Sequence, residues 1–249
     1  MAEYDYKSGK KRIEEILDNT LEVIEKKKVP KGDKFTFTNS YYSWVTGIFI
    51  DIRDSSTLFS KEDKELVSKM IRSFTSEIIE ILRDDDNLRE IGIRGDCVYA
   101  IFTTPLKDDI YEIVDKSIYI NTFLEMLNKL LSDRGLDTIR VGIGISTDKE
   151  LVIKAGRKGV GINNNVWIGD AVTRASNLSS LGDKDGYKPI VMSANTYDNI
   201  IKIMKKNNFS ENVDSWFNEK YKSDFGRFYD ANIIKKVFNN WIDNGMDDD

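Results

Sequence analysis

The chain has 249 residues, of which 40% are apolar, 11% aromatic and 32% charged, and a formal net charge of −5. This is the composition of a soluble globular protein long enough to bury a real core, and its acidic balance lacks the broad basic surface that nucleic acid or an anionic membrane favours. It has no histidine and one cysteine, Cys97, which excludes a Ser-His-Asp or Cys-His nucleophile, an HExxH zinc site and an internal disulfide.

The N-terminus, Met1 to Lys11, is polar and has no apolar stretch of the secretory type. No apolar run approaches the ~20 residues of a membrane span. A cytoplasmic protein with neither a membrane nor a nucleic-acid partner is expected. Residues 10–28 read as a helix packed on the main domain, with Ile13, Ile16, Leu17, Leu21 and Ile24 on one face and Lys26–Lys28 at its C-terminal end. Residues 1–35 thus form an N-terminal helical extension, 36–235 the main domain, and 236–249 a short helix with an acidic tail. Asp247 to Asp249 are expected to be disordered.

Trp44 to Ile52 is dense in β-formers and nearly all apolar, as in a central strand buried on both faces. Arg53 to Thr57 reads as a polar turn, and Ser60 with Asp63 as the start of a helix running to residue 83. Leu88–Ile93 and Cys97–Phe102 read as strands joined by a tight turn at Gly95-Asp96. Asp108–Leu131 follows as an amphipathic helix and Thr138–Ser146 as an alternating strand. The order strand–helix–strand–strand–helix–strand predicts an α+β fold with a ferredoxin-like βαββαβ core and added C-terminal strands and helices. Those additions are a strand near 151–155, a Gly- and Asn-rich loop at 156–165, helices at 169–181 and 194–206, a strand at 190–192 and a hairpin near 219–234.

Two carboxylates stand out. Asp51 ends the buried strand and Asp96 sits in the hairpin turn, and in this fold those strands are neighbours. Like charges that close repel unless a cation lies between them. With no His available, hard oxygen ligands select Mg²⁺ or Mn²⁺, and a carboxylate pair suits two-metal phosphoryl transfer. Ser55 and Ser56, leading into a helix, offer backbone N–H groups to a phosphate. A strand-end Asp also serves as a helix cap and an Asp after Gly as a turn residue, so the pattern alone leaves both readings open.

Four segments carry a resemblance. Phe49-Ile50-Asp51-Ile52-Arg53-Asp54-Ser55-Ser56, Arg94-Gly95-Asp96-Cys97-Val98-Tyr99-Ala100, Val141-Gly142-Ile143-Gly144-Ile145 and Trp167 to Leu178 resemble, in order and spacing, segments of the class III nucleotidyl cyclases. The resemblance implies a homodimer with active sites at the interface, two Mg²⁺ or Mn²⁺ ions per site and the metal positions Asp51, Ile52 and Asp96. In the adenylyl cyclases of that family a Lys and an Asp or Thr read adenine. Here those positions are Gly92 and Val166, which cannot. Arg94, on the same strand face as Gly92, is a donor suited to a base carbonyl, or alternatively a structural partner of Asp54 or Glu90.

The Arg-Gly-Asp hairpin and the Trp167–Leu178 segment look most like the bacterial pyrimidine cyclases of Pycsar anti-phage defence. Those make cyclic UMP from UTP, or cyclic CMP from CTP, as a messenger for a separate effector. UTP is favoured here because uracil O4 gives Arg94 a second acceptor. The positions that are usually Asn and Arg in the family are Thr173 and Asn177, and the latter is neutral. Lys154, Arg157, Lys158, Lys220, Lys222 and Arg227 are alternative cations. The competing reading is a degenerate domain of this fold that binds nucleotide or only dimerises. Gly156 to Gly161 looks suited to a phosphate but fits neither the Walker A nor the GxGxxG pattern. Trp44, Trp167, Trp216 and Trp241 read as core or interface anchors, Tyr41 and Tyr42 as core or base-stacking residues, and Cys97 as a small buried hydrophobe.

Overall fold

A computed structural model describes residues 3–31, 35–61, 63–157, 161, 163–209 and 211–247. One nine-stranded sheet runs through it in the order β3-β4-β2-β5-β7-β9-β8, with β1 paired to β2 and β6 to β5. The strands are β1 Glu22–Glu25, β2 Asn39–Ile52, β3 Leu88–Arg94, β4 Cys97–Thr103, β5 Val141–Gly156, β6 Asn163–Ile168, β7 Ile190–Ser193, β8 Phe217–Lys222 and β9 Gly226–Ala231. The helices are α1 Tyr6–Leu17, α2 Ser55–Lys61, α3 Lys64–Arg83, α4 Lys107–Ser132, α5 Asp170–Ser179, α6 Ala194–Asn207 and α7 Lys236–Asp243. The unit β2-α3-β3-β4-α4-β5 is the expected ferredoxin-like core.

Alternation along β2 divides the molecule. Ile48, Ile50 and Ile52 enter the main core with Phe74, Ile78 and Leu82 of α3 and Ile113, Ile120 and Phe123 of α4. Val45, Gly47, Phe49 and Asp51 face the other side, where α5 lies. β5 repeats the division: Val141, Ile143 and Ile145 fill the core, while Gly142 and Gly144 face α5. A Cβ at Gly144 would overlap the Ala175 carbonyl oxygen and the Ser179 amide, and one at Gly142 the Ser179 carbonyl. The bare strand surface is therefore what lets the α5 backbone rest directly on the sheet.

Several local expectations differ. The helix expected over residues 10–28 occupies Tyr6–Leu17 instead, capped by Asp5, whose carboxylate accepts the Lys7 and Ser8 amides. Asp18, Asn19 and Thr20 end it, because their side chains compete for the backbone. Glu22–Glu25 then pairs in parallel with Asn39–Tyr42. The apolar residues of α1 do not pack on the domain: Ile13, Ile16 and Leu17 are exposed. Residues 55–61 are helix α2 rather than a turn. Asp63, not Ser60, caps α3 by accepting the Glu65 amide at 2.7 Å.

The strands expected at 138–146 and 151–155 are one strand, β5, because both halves pair with β2 across Ser40–Ile52. The second half of the Gly- and Asn-rich loop is β6, whose polar side chains hid a strand held by β5. Lys158, Gly159 and Val160 of that loop, and Asp248 and Asp249 of the tail, lie outside the described residues. Asp247 accepts from Trp241 Nε1 at 3.1 Å. No helix among the described residues is long and apolar enough to cross a membrane.

The seating of α5 gives a direct test. Gly144→Ala should cost about 3 kcal/mol by forcing a methyl into the helix backbone. In a chain of this size that lowers Tm by about 6–12 °C in a thermal melt. An unchanged Tm would mean that α5 does not touch β5 as described.

Candidate active site

The antiparallel register of β2 with β4 sets Asp51 opposite Cys97. Asp96 is the next residue, in the turn where Gly95 takes φ +63°. The hairpin thus delivers the second carboxylate to the end of the strand carrying the first. Burial pushes the Asp51 carboxyl above its ordinary value, the neighbouring Arg53 guanidinium opposes this, and the Asp96 charge adds to it. Arg53 forms an ion pair with the Asp51 carboxylate and also donates to the Asp51 carbonyl at 3.1 Å and the Ser180 carbonyl at 3.0 Å. Its side chain is only 8% exposed.

Asp51 opens onto a cleft of about 530 Å³. The floor is Phe49, Cys97, Tyr99 and Ile101, one wall is Glu90 and Arg94 of β3, and the opposite wall is Ser176, Ser179 and Ser180 at the end of α5. Asn165, Val166 and Trp167 of β6 close one end. The Tyr99 ring stacks on Phe49 with centroids 5.3 Å apart. It also covers Gly92, where a Cβ would come within 2.7 Å of the ring. The glycine at 92 is thereby explained by space. Glu90 accepts from Tyr99 Oη at 2.8 Å and from Trp167 Nε1 at 2.8 Å.

The donor set fits a hard divalent cation. Two oxygen anions converge, one held above its ordinary pKa and leaning on a guanidinium. Burial first, and then the Asp51 charge, push the Cys97 thiol up to about 12. Among the described residues no cluster of three acidic or cysteine ligands exists, which leaves other positions to main-chain carbonyls, phosphate oxygens and water, as Mg²⁺ prefers.

The structure brings Asp51 and Arg94 to the cleft and sets Asp96 in the hairpin turn close enough for its charge to act on Asp51, though not in the cleft lining, with Ile52 adjoining and Ser55 and Ser56 at the start of α2. It does not bring Thr173 or Asn177 there. Both are exposed on α5, one turn apart, and the cleft of the same chain is lined by their neighbours Val172 and Ser176. Arg94 makes no ion pair among the described residues; Asp54 pairs with Arg140 at 2.9 Å instead. Other cations are engaged elsewhere: Arg174 on the Phe225 carbonyl, Arg227 on Asp198, and Lys154, Lys220 and Lys222 over the rings of Phe37, Tyr187 and Phe225. Trp167 proves to be a cleft residue, and Tyr41 is buried against Phe35. Arg53, Glu90 and the α5 serines were not singled out from sequence. A charged residue two beyond a strand-end Asp was the available signal for Arg53.

The amino end of α5 is held from a distance. Gly169 precedes the helix and has no side chain to cap it. Glu150 of β5, fully buried, accepts the Ala171 N–H at 2.6 Å and the Val172 N–H at 3.2 Å. Its Oε2 has no hydrogen-bond partner among the described residues. Burial raises its pKa above 4.5, against the pull of those two amides. From 4.5 up to the raised value the folded chain therefore holds more protons than the unfolded chain, and this group makes stability fall as pH rises. Glu150→Gln should remove that slope: the wild-type minus variant difference in Tm declines with pH above 4.5. A difference that grows with pH would contradict the assignment.

Similarity searches agree with one another. The family model described as the adenylate and guanylate cyclase catalytic domain matches residues 37–216. A protein of Treponema porcinum named Uridylate cyclase is 53% identical over 99% of this chain and 83% of its own length. Another of that name, from Gulbenkiania mobilis, is 29% identical over 96% of each chain. Among solved structures, the adenylyl cyclase CyaB from P. aeruginosa superposes with a TM-score of 0.62 at 20% identity, over 77% of this chain and 95% of that one. The last comparison is a likeness of fold.

Proposed function

The chain belongs to the adenylate and guanylate cyclase catalytic domain family, and from that premise we propose that it converts UTP to 3′,5′-cyclic UMP and pyrophosphate. The observation that carries the reading is the pairing of Asp51 with Asp96 at a cleft whose base end is narrowed by Tyr99. The relatives named Uridylate cyclase support the uracil base, as does the absence of side chains at Gly92 and Val166 able to read adenine. CTP is the alternative substrate.

In the reaction the ribose 3′-oxygen gives up its proton to water and attacks its own α-phosphorus in line. The bond from that phosphorus to the pyrophosphate oxygen breaks. Asp51 and Asp96, with the Ile52 carbonyl, would hold two Mg²⁺ or Mn²⁺ ions, which when bound would supply charge neutralisation and acidity at the 3′-hydroxyl. Arg53 is the internal counter-charge that keeps Asp51 oriented before they bind. Backbone N–H groups at Ser55 and Ser56 take phosphate oxygens. Arg94 donates to a carbonyl of the base.

Thr173 and Asn177 act across a homodimer, because each is exposed and absent from the cleft of its own chain. Thr173 hydrogen-bonds the ribose, and Asn177 offers an uncharged amide at the α-phosphate. The product serves anti-phage defence through a separate effector, a reading supported by the resemblance to the Pycsar cyclases. A domain that merely bound nucleotide would not need two repelling carboxylates at one point, although the neutral pair on α5 favours that reading.

Purified protein incubated with Mn²⁺ and each of the four nucleoside triphosphates should yield cyclic product and pyrophosphate from UTP foremost. Asp51→Ala and Asp96→Ala should each lower turnover at least about 1,000-fold while the circular dichroism spectrum and Tm report a folded chain. Product from ATP or GTP, or full turnover in either variant, would refute the proposal.

A further inference from the structure

Resting on the reading of the cleft as a pyrimidine nucleotide site, we propose that Glu90 sets the base, its carboxylate accepting the N3–H of uracil and rejecting cytosine. Glu90 lines the cleft beside Arg94 on the same face of β3. It is fixed from two other strands: the Tyr99 hydroxyl of β4 donates to Oε1 and the Trp167 indole of β6 to Oε2, each at 2.8 Å. No cation pairs with it among the described residues. Both of its protein partners are donors, and each oxygen keeps a lone pair free. The edge it turns to the cleft can therefore only accept.

Uracil and cytosine differ where this matters. Uracil presents N3–H flanked by the carbonyls O2 and O4, so an acceptor beside a donor matches it. Glu90 and Arg94 supply the acceptor and the donor from one face of β3, four residues apart, on either side of the Tyr99 ring that covers Gly92. Cytosine held in the same pose presents a bare N3 lone pair there, which a carboxylate repels, and its N4 amine meets Glu90 only if the ring shifts. A buried polar group left without its partner costs about 1–3 kcal/mol, or roughly tenfold to a hundredfold in binding. Tyr99 adds a second restriction: its ring fills the space over Gly92, so a two-ring base has less depth available.

Glu90→Gln should reverse the preference. Trp167 Nε1 can only donate, so the amide must turn its oxygen to Trp167. Its NH₂ group then faces Tyr99, whose hydroxyl can rotate to accept. The second amide hydrogen points into the cleft, where the wild type offered a lone pair. The surface that met N3–H now meets N3.

The experiment uses the full chain with Mn²⁺ and measures two quantities. One is kcat/KM for UTP and CTP. The other is the Kd for 3′-deoxy-UTP and 3′-deoxy-CTP, which lack the reacting hydroxyl. Wild type should prefer the uridine form in both. In Glu90→Gln the UTP value of kcat/KM should fall about 10–100-fold and CTP should hold or gain, with the Kd ratio moving alike. Tyr99→Phe, which keeps the ring and removes one of the two bonds holding Glu90, should raise KM for UTP about 3–10-fold without raising KM for CTP, and serves if Glu90→Gln does not fold. A carboxylate that only tied the three strands together would weaken both nucleotides in parallel, and that result in either folded variant overturns the proposal. A wild type that prefers CTP also overturns it. Absence of cyclic product from every nucleotide defeats the cyclase reading instead, and the Kd ratio then still tests Glu90.

Discussion

Everything at the site depends on one strand register. Asp51 is held opposite Cys97, and so next to Asp96, because Ile48, Ile50 and Ile52 lock β2 into the core. A slip of one residue would turn Asp51 into the apolar layer and lift the isoleucines out of it. The fold therefore uses the stability of a central strand to keep two like charges close. Arg53 relieves the arrangement only in part, since the Asp51 carboxyl remains above its ordinary value. Such a pair calls for positive charge, and a divalent cation bridging oxygen anions is the simplest way to supply it.

A second constraint places the opposite wall. α5 rests on β5 where Gly142 and Gly144 remove the side chains, and Glu150 fastens its first turn from beneath. That single seating has two consequences. It turns Val172, Ser176 and Ser179 toward the cleft of the same chain. It also leaves Thr173 and Asn177 exposed on the outer face. The division between what one chain completes and what it offers outward follows from the helix period.

The core and the carboxylate pair were legible in the sequence because both are encoded locally. A nearly continuous apolar run marked β2, alternation marked the first half of β5, the helical period marked α3 and α4, and Gly95-Asp96 marked the hairpin turn. The errors fell where structure is decided at long range. Glu22–Glu25 is a strand because Asn39–Tyr42 lies beside it, and nothing in its own four residues outweighed the helical pattern before it. The polar run Asn163–Asn165 became strand through pairing with Lys154–Gly156. Glu90 gains its role from a tryptophan 77 residues away. Glu150 caps a helix that starts 20 residues later, with Gly169 standing where a local cap would be. Such partnerships leave no periodic trace.

The central claim is that Asp51 and Asp96 converge on divalent ions above a triphosphate. Anomalous scattering from crystals grown with Mn²⁺ and 3′-deoxy-UTP tests it most directly. The account predicts manganese density between the two carboxylates and the phosphates. Density elsewhere, with Asp51 still closed on Arg53 and the triphosphate bound outside the cleft, would contradict it.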